Sequence, residues 1–594
     1  MTALRDTHTS TITALRTALS GPDPDALRRQ VRDVVTGFND THRLTDSPAD
    51  RAALGRALLP QVLARLPLPG RELASSPRWL AALYRETAVH LPTVMPLLSG
   101  QLPLVQQAIR TLGGPDHDSY LEALDTGALG VLLVTETAGT NGNNCRTVAD
   151  YDPATDRLLL TTPDVAAEKF GGNVADHGPQ IVAVSARLRI GGRDEGLFLF
   201  LLTLRTAAGL ADGVRVTPLG PKAGSGMHHA RISFDHCPLP REAMLGGDWA
   251  RLTPDGELLC DVPVPDRFRR SVAVLDDGRL HLSLAASAAA GAALVGLGNW
   301  APQRRPGTTR MSDRPCVQQQ LVTALAAVYA TSALSQRLLD MRADGHPDWS
   351  GLWPMIAKPI TVDTATRTLT TVRYRTGIHG TLLTNLIASW LLNADCSVTA
   401  EGDNEILTIT GGYRLTHRGA PLTLPGTPTG LPPYITTLTD REHALREAVR
   451  TGEYRGAGPV LGGDGAAMAL AVTTGQRLAA TALLIAADTT GDDHARDLLT
   501  TLAAAYAHRC LYEDAAWYTS RGHQSADQVT TIEDTLVDLH QQLLDHLPPL
   551  LAAFDVGEIT GAPIFADDYL AAIADGAADD HTARYGDPDD CPWP

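Results

Sequence analysis

Glu401 stands between Ala400 and Gly402, at the end of an apolar, loop-like stretch. Small neighbours let a carboxylate approach a ligand closely. In an apolar pocket its pKa would rise toward neutral, which suits a general base. The same placement suits a helix N-terminal carboxylate that only complements the dipole. Glu405 lies four residues on and would share a helix face with it. A second charge there would raise the Glu401 pKa further, whereas an outward Glu405 would meet solvent or a base. Arg304 and Arg305 are adjacent, and guanidinium forks match phosphate; two arginines equally suit an ordinary surface. Gly377 and Gly380 would admit a ligand against the backbone, and His379 between them can bond a phosphate or a carbonyl, or serve the structure alone. Thr135, Glu136 and Thr137 follow an apolar strand at its turn, where hydroxyls and free N–H groups can hold the polar edge of a ring. An ordinary turn is the alternative. Phe170 can pack on a ring face or in a core, next to Gly171 and Gly172.

Several elements must position these groups. Apolar residues recur at helical spacing over Thr11–Leu19, Asp25–Phe38, Pro48–Leu66 and Trp79–Leu98, with Pro and Gly punctuation. From about residue 130 the pattern changes to short runs: Val131–Thr135, Arg157–Thr161, Gln180–Ile190, Gly196–Leu204, Val214–Pro218 and Arg231–Phe234. Turn-rich segments such as NGNN, DPATD, GGRDEG and GPKAGSG separate them, which predicts strands. Residues 251–276 read as a polar, Pro-containing connector. Helical spacing then returns over His281–Asn299, Gln319–Met341 and Ile360–Arg375. Residues 416–435 read as a linker, and Ala466–Asp488, Ala495–Thr519 and Ala526–Phe554 as long amphipathic helices. The expected fold class is α+β and multidomain. It comprises an N-terminal helical domain (1–129), a β-barrel or sandwich domain (130–276), a helical bundle with the candidate site residues (277–430) and a second helical bundle (431–594).

Composition narrows the function classes. The 594 residues are 44% apolar and 20% charged, as in a globular protein, and the net charge is −17. Such a surface repels polyanions, so no nucleic-acid partner is expected. The seven cysteines lie far apart, without a CxxC pair, so neither a zinc site nor any other metal site is indicated. The N-terminus has no basic-then-apolar signal pattern and the C-terminus is not SKL. The most apolar run, Gly196–Leu204, is too short to span a bilayer. A cytoplasmic protein without membrane insertion is the expectation.

The motifs resemble the acyl-CoA oxidase and dehydrogenase superfamily. VTETAGTNGNN (134–144) is similar to the family's TETGHGSN segment, and TVADYDPATDRLLLTTP (147–163) to the oxidase branch. KFGGN (169–173) resembles KWW-x-G-N, and GPKAGSG through ISFDHCPLPREAML (220–245) resembles GPK-x-G and the segment after it. Gly377–Gly380 resembles GGHG, and Glu401–Asn404 resembles EGEN. LYEDAAWY (511–518) and Ala562–Leu570 resemble the oxidases' extra C-terminal helical domain. The resemblance runs from about residue 120 to 575.

That resemblance implies FAD as cofactor and an acyl thioester, on CoA or a carrier protein, as substrate. Glu401 would remove the α-proton while the β-hydrogen leaves as hydride to the flavin. Thr135, Thr137, Phe170, Gly171 and Gly172 would contact the flavin. Arg304 and Arg305 would bind the pyrophosphate across a subunit interface, and Gln319 would lie on the adenine side. Gly377, His379, Gly380 and Asp403 would complete the cofactor site. O2 would reoxidise the flavin, giving a 2-enoyl thioester and hydrogen peroxide, in a homodimer serving fatty acid metabolism. The alternatives are a desaturase of carrier-bound acyl groups in secondary metabolism and a non-catalytic paralogue in a hetero-oligomer. The chain departs from the family at Asn141–Asn144, at His228–His229, at Pro302 and Pro306, and at Gly411–Gly412, which should weaken the helix after Glu401.

Overall fold

A computed structural model describes residues 2–21, 24–38, 47–139, 142–175, 178–220 and 226–574. Of the segments singled out above, Thr140–Asn141, Pro221–Ser225 of GPKAGSG and Cys591 lie outside the described residues. The chain forms two compact units: residues 30–87 with 91–281, the sheet unit, and residues 1–29, 88–90 and 282–594, the helical unit. The N-terminal helical stretch is thus divided between them.

The sheet unit is organised by Gln180–Ile190. Leu129–Leu133 runs parallel to its first half (Leu129 opposite Gln180), and Val148–Asp152 runs parallel to its second half (Val148 opposite Arg187). Arg193–Thr206 returns antiparallel on the other edge. Gly191 and Gly192 both have positive φ, 57° and 82°, in the two-residue turn between these strands. Such tight hairpins demand that backbone, and glycine supplies it without strain. Arg157–Thr161 and Cys237–Pro240 extend the large sheet on one side and Met244–Leu245 on the other. A second sheet pairs Lys169–Gly172, His229–Phe234 and Val214–Pro218. Ile181, Val182, Val184, Phe198, Leu199 and Phe200 are buried in the core. The two central strands therefore read as continuous apolar runs rather than alternating ones.

Residues 251–276 are more than a connector. Ala250–Leu252 and Leu258–Cys260 pair as a hairpin, and Val264–Ser271 is a helix. Its Arg267 is buried and bonds the Val262 carbonyl at 2.8 Å and Glu195. The polar composition hid this because its charge is neutralised internally.

In the helical unit, Pro315–Ala343 packs on Leu352–Arg375, and Gly462–Thr489 packs on Pro433–Thr451, Asp493–Glu513 and Asn404–Thr416. Leu352–Arg375 begins eight residues before the expected Ile360 and carries Pro359 in its interior. Proline usually ends a helix, so the pattern misled there. Ala495–Thr519 is two helices, Asp493–Glu513 and Ala515–Ser520. Ala526–Phe554 is likewise divided, into Ala526–Asp545 and Leu547–Ala552. The presumed linker is pinned: Leu422 and Leu424 are buried, and Arg477 and Arg337 each donate at 2.8 Å to the carbonyls of Leu422 and Pro425. Leu275–Trp300 and Gly462–Thr489 are long and apolar enough to cross a membrane, but 89% and 78% of their most apolar windows are buried within the protein, as in core helices.

Candidate active site

The candidate residues fall in both units. In the sheet unit, the chain leaves Leu129–Leu133 and turns at Thr135–Thr137. Thr135 is exposed, and its carbonyl accepts Phe170 N–H at 2.9 Å. Thr137 spends both its N–H and its hydroxyl on the Glu168 carbonyl, at 2.9 and 3.0 Å. Phe170 is 39% exposed, its ring 5.8 Å from that of His229. Gly171 is buried, and a Cβ there would lie 2.5 Å from Leu133 Cδ2. Its lack of a side chain therefore serves sheet packing. A Cβ at Gly172 would meet Met227 and His229 at 3.3 Å.

Behind this turn lies a buried polar cluster. Lys169 is fully buried, and its Nζ donates to Glu136 Oε1 at 3.2 Å and to the Val134 carbonyl at 3.3 Å. Glu136 also accepts the N–H groups of Arg146 and Thr147, and the Thr147 hydroxyl at 2.7 Å. The Cys145 thiol sits 3.2 Å from both Glu136 and Lys169. Burial opposes ionisation of Glu136, but Lys169 and these donors outweigh it and hold its pKa at about 2. Neither Lys169 nor Cys145 stood out in the sequence. Alternation along Lys169–Gly172 was the available signal, since one of Lys169 and Phe170 had to face inward. The lysine does so.

In the helical unit, Leu275–Trp300 ends before Pro302, and a turn follows in which Met311 N–H donates to the Arg304 carbonyl at 2.8 Å. Arg304 and Arg305 are exposed, and neither guanidinium pairs with a carboxylate among the described residues. Arg304 lies 5.9 Å over the Trp300 ring. Gly377 adopts φ 58° with open space around its Cβ direction, and Gly380 is buried against Thr376 and Arg373. His379 Nδ1 lies 2.6 Å from the Tyr569 hydroxyl, and its ring also packs on Trp300. Burial, then Arg304, lowers the His379 pKa, so the ring is held neutral. Gln319 is exposed on Pro315–Ala343 and faces a cavity of about 430 Å³ with Gln320, Asp363, Arg367, Gln476 and Arg509.

Glu401 lies in a tight turn between the helices Ile387–Thr399 and Asn404–Thr416. Its φ is 55° and that of Gly402 is 104°. Left-handed backbone costs a non-glycine residue about 1–2 kcal/mol, so surrounding contacts must hold it. Lys358, fully buried on Leu352–Arg375, donates from Nζ to the Val398 carbonyl at 3.0 Å and the Gly402 carbonyl at 2.9 Å. Asp363 on the same helix accepts Asn404 Nδ2 at 2.7 Å. Asp403 caps the following helix, Oδ1 accepting Glu405 N–H at 2.8 Å, and Glu405 is exposed. Gly411 and Gly412 do not interrupt that helix. A Cβ at Gly412 would lie 2.0 Å from the Ala467 carbonyl oxygen, so glycine permits close helix packing.

The family model for the acyl-CoA dehydrogenase C-terminal domain matches residues 268–416, which include Arg304, Gly377–Gly380 and Glu401. Acyl-coenzyme A oxidase 3 of Arabidopsis thaliana is 28% identical over 310 residues, 49% of this chain and 45% of that one. Peroxisomal acyl-coenzyme A oxidase 3 of Homo sapiens is 29% identical over 330 residues, 50% of this chain and 47% of that one. The chain spans about half the length of the curated relatives it matches. Among solved structures, acyl-CoA oxidase 1 of Yarrowia lipolytica superposes with a TM-score of 0.77 at 19% identity, covering 100% of this chain and 95% of that one. Acyl-CoA oxidase-2 of Caenorhabditis elegans, bound with FAD, ascaroside-CoA and ATP, superposes with a TM-score of 0.79 at 15% identity, covering 99% and 95%. Residues 268–416 thus match the acyl-CoA dehydrogenase C-terminal domain, and the chain is similar to acyl-CoA oxidases over about half of its length and in its fold.

Proposed function

We propose that this chain is an FAD-dependent oxidoreductase that desaturates an acyl thioester between its α and β carbons, with O2 as the final electron acceptor. The products are a 2-enoyl thioester and hydrogen peroxide. The observation that carries the reading is Glu401, a carboxylate held in left-handed backbone between two helices, with small neighbours on both sides.

The residues fit a dinucleotide. Arg304 and Arg305 present two guanidinium groups without carboxylate partners among the described residues, in a chain of net charge −17. Gly377 leaves open space at the His379 turn, and His379 keeps Nε2 clear of its Nδ1 contact with Tyr569. In this reading Arg304 and Arg305 bind the pyrophosphate, His379 and the Gly377–Gly380 backbone bond phosphate or carbonyl oxygens, and Gln319 serves the adenine. Thr135 and Phe170 meet the polar edge and the face of the ring system, while Thr137, Gly171, Gly172 and Asp403 shape the backbone at these places. Bound FAD would supply the hydride acceptor and the route of electrons to O2. Glu401 takes the α-proton onto its carboxylate, and the β-hydrogen departs with its electron pair, so the thioester loses two hydrogens in all. A homodimer in the cytoplasm completes the proposal.

The test is the visible spectrum of the purified protein before and after anaerobic addition of a medium-chain acyl-CoA. Flavin absorbance that bleaches, and hydrogen peroxide on readmission of air, are expected. Glu401→Gln should keep the flavin and slow bleaching by roughly 10²–10⁴-fold. Bleaching only by a carrier-protein thioester would move the substrate to the carrier. A protein that takes up no flavin even on reconstitution would overturn the enzyme reading in favour of a non-catalytic paralogue.

A further inference from the structure

We infer that Lys358 is a positioning residue for the proposed base: its buried ammonium clamps the two sides of the Glu401 turn and so aims the carboxylate. The inference rests on Glu401 being the base. Lys358 has no exposed surface, and its Nζ bonds one carbonyl before Glu401 and one after it, Val398 at 3.0 Å and Gly402 at 2.9 Å. A lysine is rarely left fully buried, because its charge loses hydration, so the contacts it makes there carry weight.

The acceptors explain the placement. Val398 is in the last turn of Ile387–Thr399, where carbonyls lack helical donors and the helix dipole favours a cation. Gly402 lies beyond that end, with its backbone at φ 104°. One ammonium group joins the two, so the left-handed Glu401 cannot relax to an extended conformation without breaking a charge-assisted hydrogen bond. Five residues further along the same helix, Asp363 holds Asn404, the first residue of the next helix. Leu352–Arg375 thereby grips the turn on both sides of Glu401, with Lys358 acting three residues before the proposed base and at the residue after it. Proton abstraction depends steeply on the reach and angle of the base, so a looser turn should slow the chemical step more than it weakens thioester binding.

The test compares Lys358→Met and Lys358→Gln with the parent protein and with Glu401→Gln. Methionine keeps the volume and removes the donors; glutamine restores an N–H donor on a shorter side chain. Amide hydrogen exchange on the flavin-free proteins should rise in the segment 398–404 for Lys358→Met, with the helix Asp493–Glu513 unchanged. With flavin bound, acyl-CoA should bind within about threefold of the parent affinity. Anaerobic bleaching should slow by about 10–100-fold, with Lys358→Gln faster than Lys358→Met. If Lys358→Met does not fold, Lys358→Gln alone must show the exchange and rate changes. Unchanged exchange in 398–404, or parent-like bleaching in a folded Lys358 variant when Glu401→Gln is inactive, would overturn the inference. Parent-like bleaching in Glu401→Gln would instead overturn the assignment of the base.

Discussion

At the scale of single residues, the buried Glu136–Lys169 pair lies directly behind Thr135 and Phe170. Lys169 is in the strand whose next residue is Phe170, and Glu136 is within the turn that exposes Thr135. Its carboxyl pKa, about 2 against 4.5 for the free group, links stability to pH. A depressed carboxyl pKa stabilises the fold at pH values above 4.5, and that contribution fades as pH falls from 4.5 toward 2. The full shift corresponds to about 3 kcal/mol. Denaturant titrations of the parent and of Glu136→Gln should therefore show a steeper loss of stability in the parent over this window. At neutral pH the variant should be less stable by about 3–5 kcal/mol, because it leaves the Lys169 ammonium buried without its carboxylate. An equal pH dependence in both proteins would remove Glu136 as the source.

At the scale of elements, the helix after Glu401 carries two glycines that its neighbours require. Gly412→Ala would drive a methyl group into the Ala467 carbonyl on Gly462–Thr489, and backbone cannot move aside as a side chain can. We expect destabilisation of about 1–3 kcal/mol in chemical denaturation, against the gain of roughly 1 kcal/mol that alanine brings to an exposed helix interior. A gain in stability would show that the two helices separate easily. Asp403→Ala removes the cap of the same helix and should cost about 1 kcal/mol. Because that cap adjoins Gly402, the variant should also slow flavin bleaching in the acyl-CoA assay, and an unchanged rate would separate the cap from the base.

At the scale of the whole molecule, the C-terminal segment reaches the proposed cofactor turn. Asn299 Nδ2 donates to the carbonyls of Ile564 and Ala566 at 3.1 and 2.9 Å, and Asn385 Oδ1 accepts Ile564 N–H at 3.0 Å. Gln303 Oε1 accepts Tyr569 N–H at 2.8 Å, and the Tyr569 hydroxyl meets His379. Truncation after residue 562 should therefore weaken FAD retention as well as thermal stability. Tyr569→Phe, which deletes one hydroxyl, should weaken retention with little change in melting temperature. Equal flavin affinity in the parent and both variants, measured by dialysis against flavin-free buffer, would disconnect this segment from the cofactor. The exposed side chains of Tyr374 and Ile378, 74% and 72% accessible beside the same turn, are consistent with a covered face in a dimer. Light scattering should find two chains per particle.

Local pattern was enough for much of this protein. Arg157–Thr161, Gln180–Ile190 and Val214–Pro218 form at the expected bounds, because turn residues and apolar runs mark strand ends in the sequence itself. The order of the motifs was enough to indicate a resemblance to the superfamily, and it was that resemblance, with the EGDN segment, that singled out Glu401 as the proposed base. What local pattern did not contain was set by partners distant in sequence. Lys358 is an unremarkable residue before a proline until the helix it occupies meets the Val398 and Gly402 carbonyls, 40 and 44 residues away along the chain. Lys169, Cys145 and Glu136 become one cluster only when a strand and a turn pair. Tyr569 meets His379 only through the return of the C-terminal segment. Periodicity reports which face of an element is apolar, whereas a buried charge is tolerated only where the complete fold supplies its hydrogen-bond partners. Those polar contacts were therefore decided by the tertiary structure.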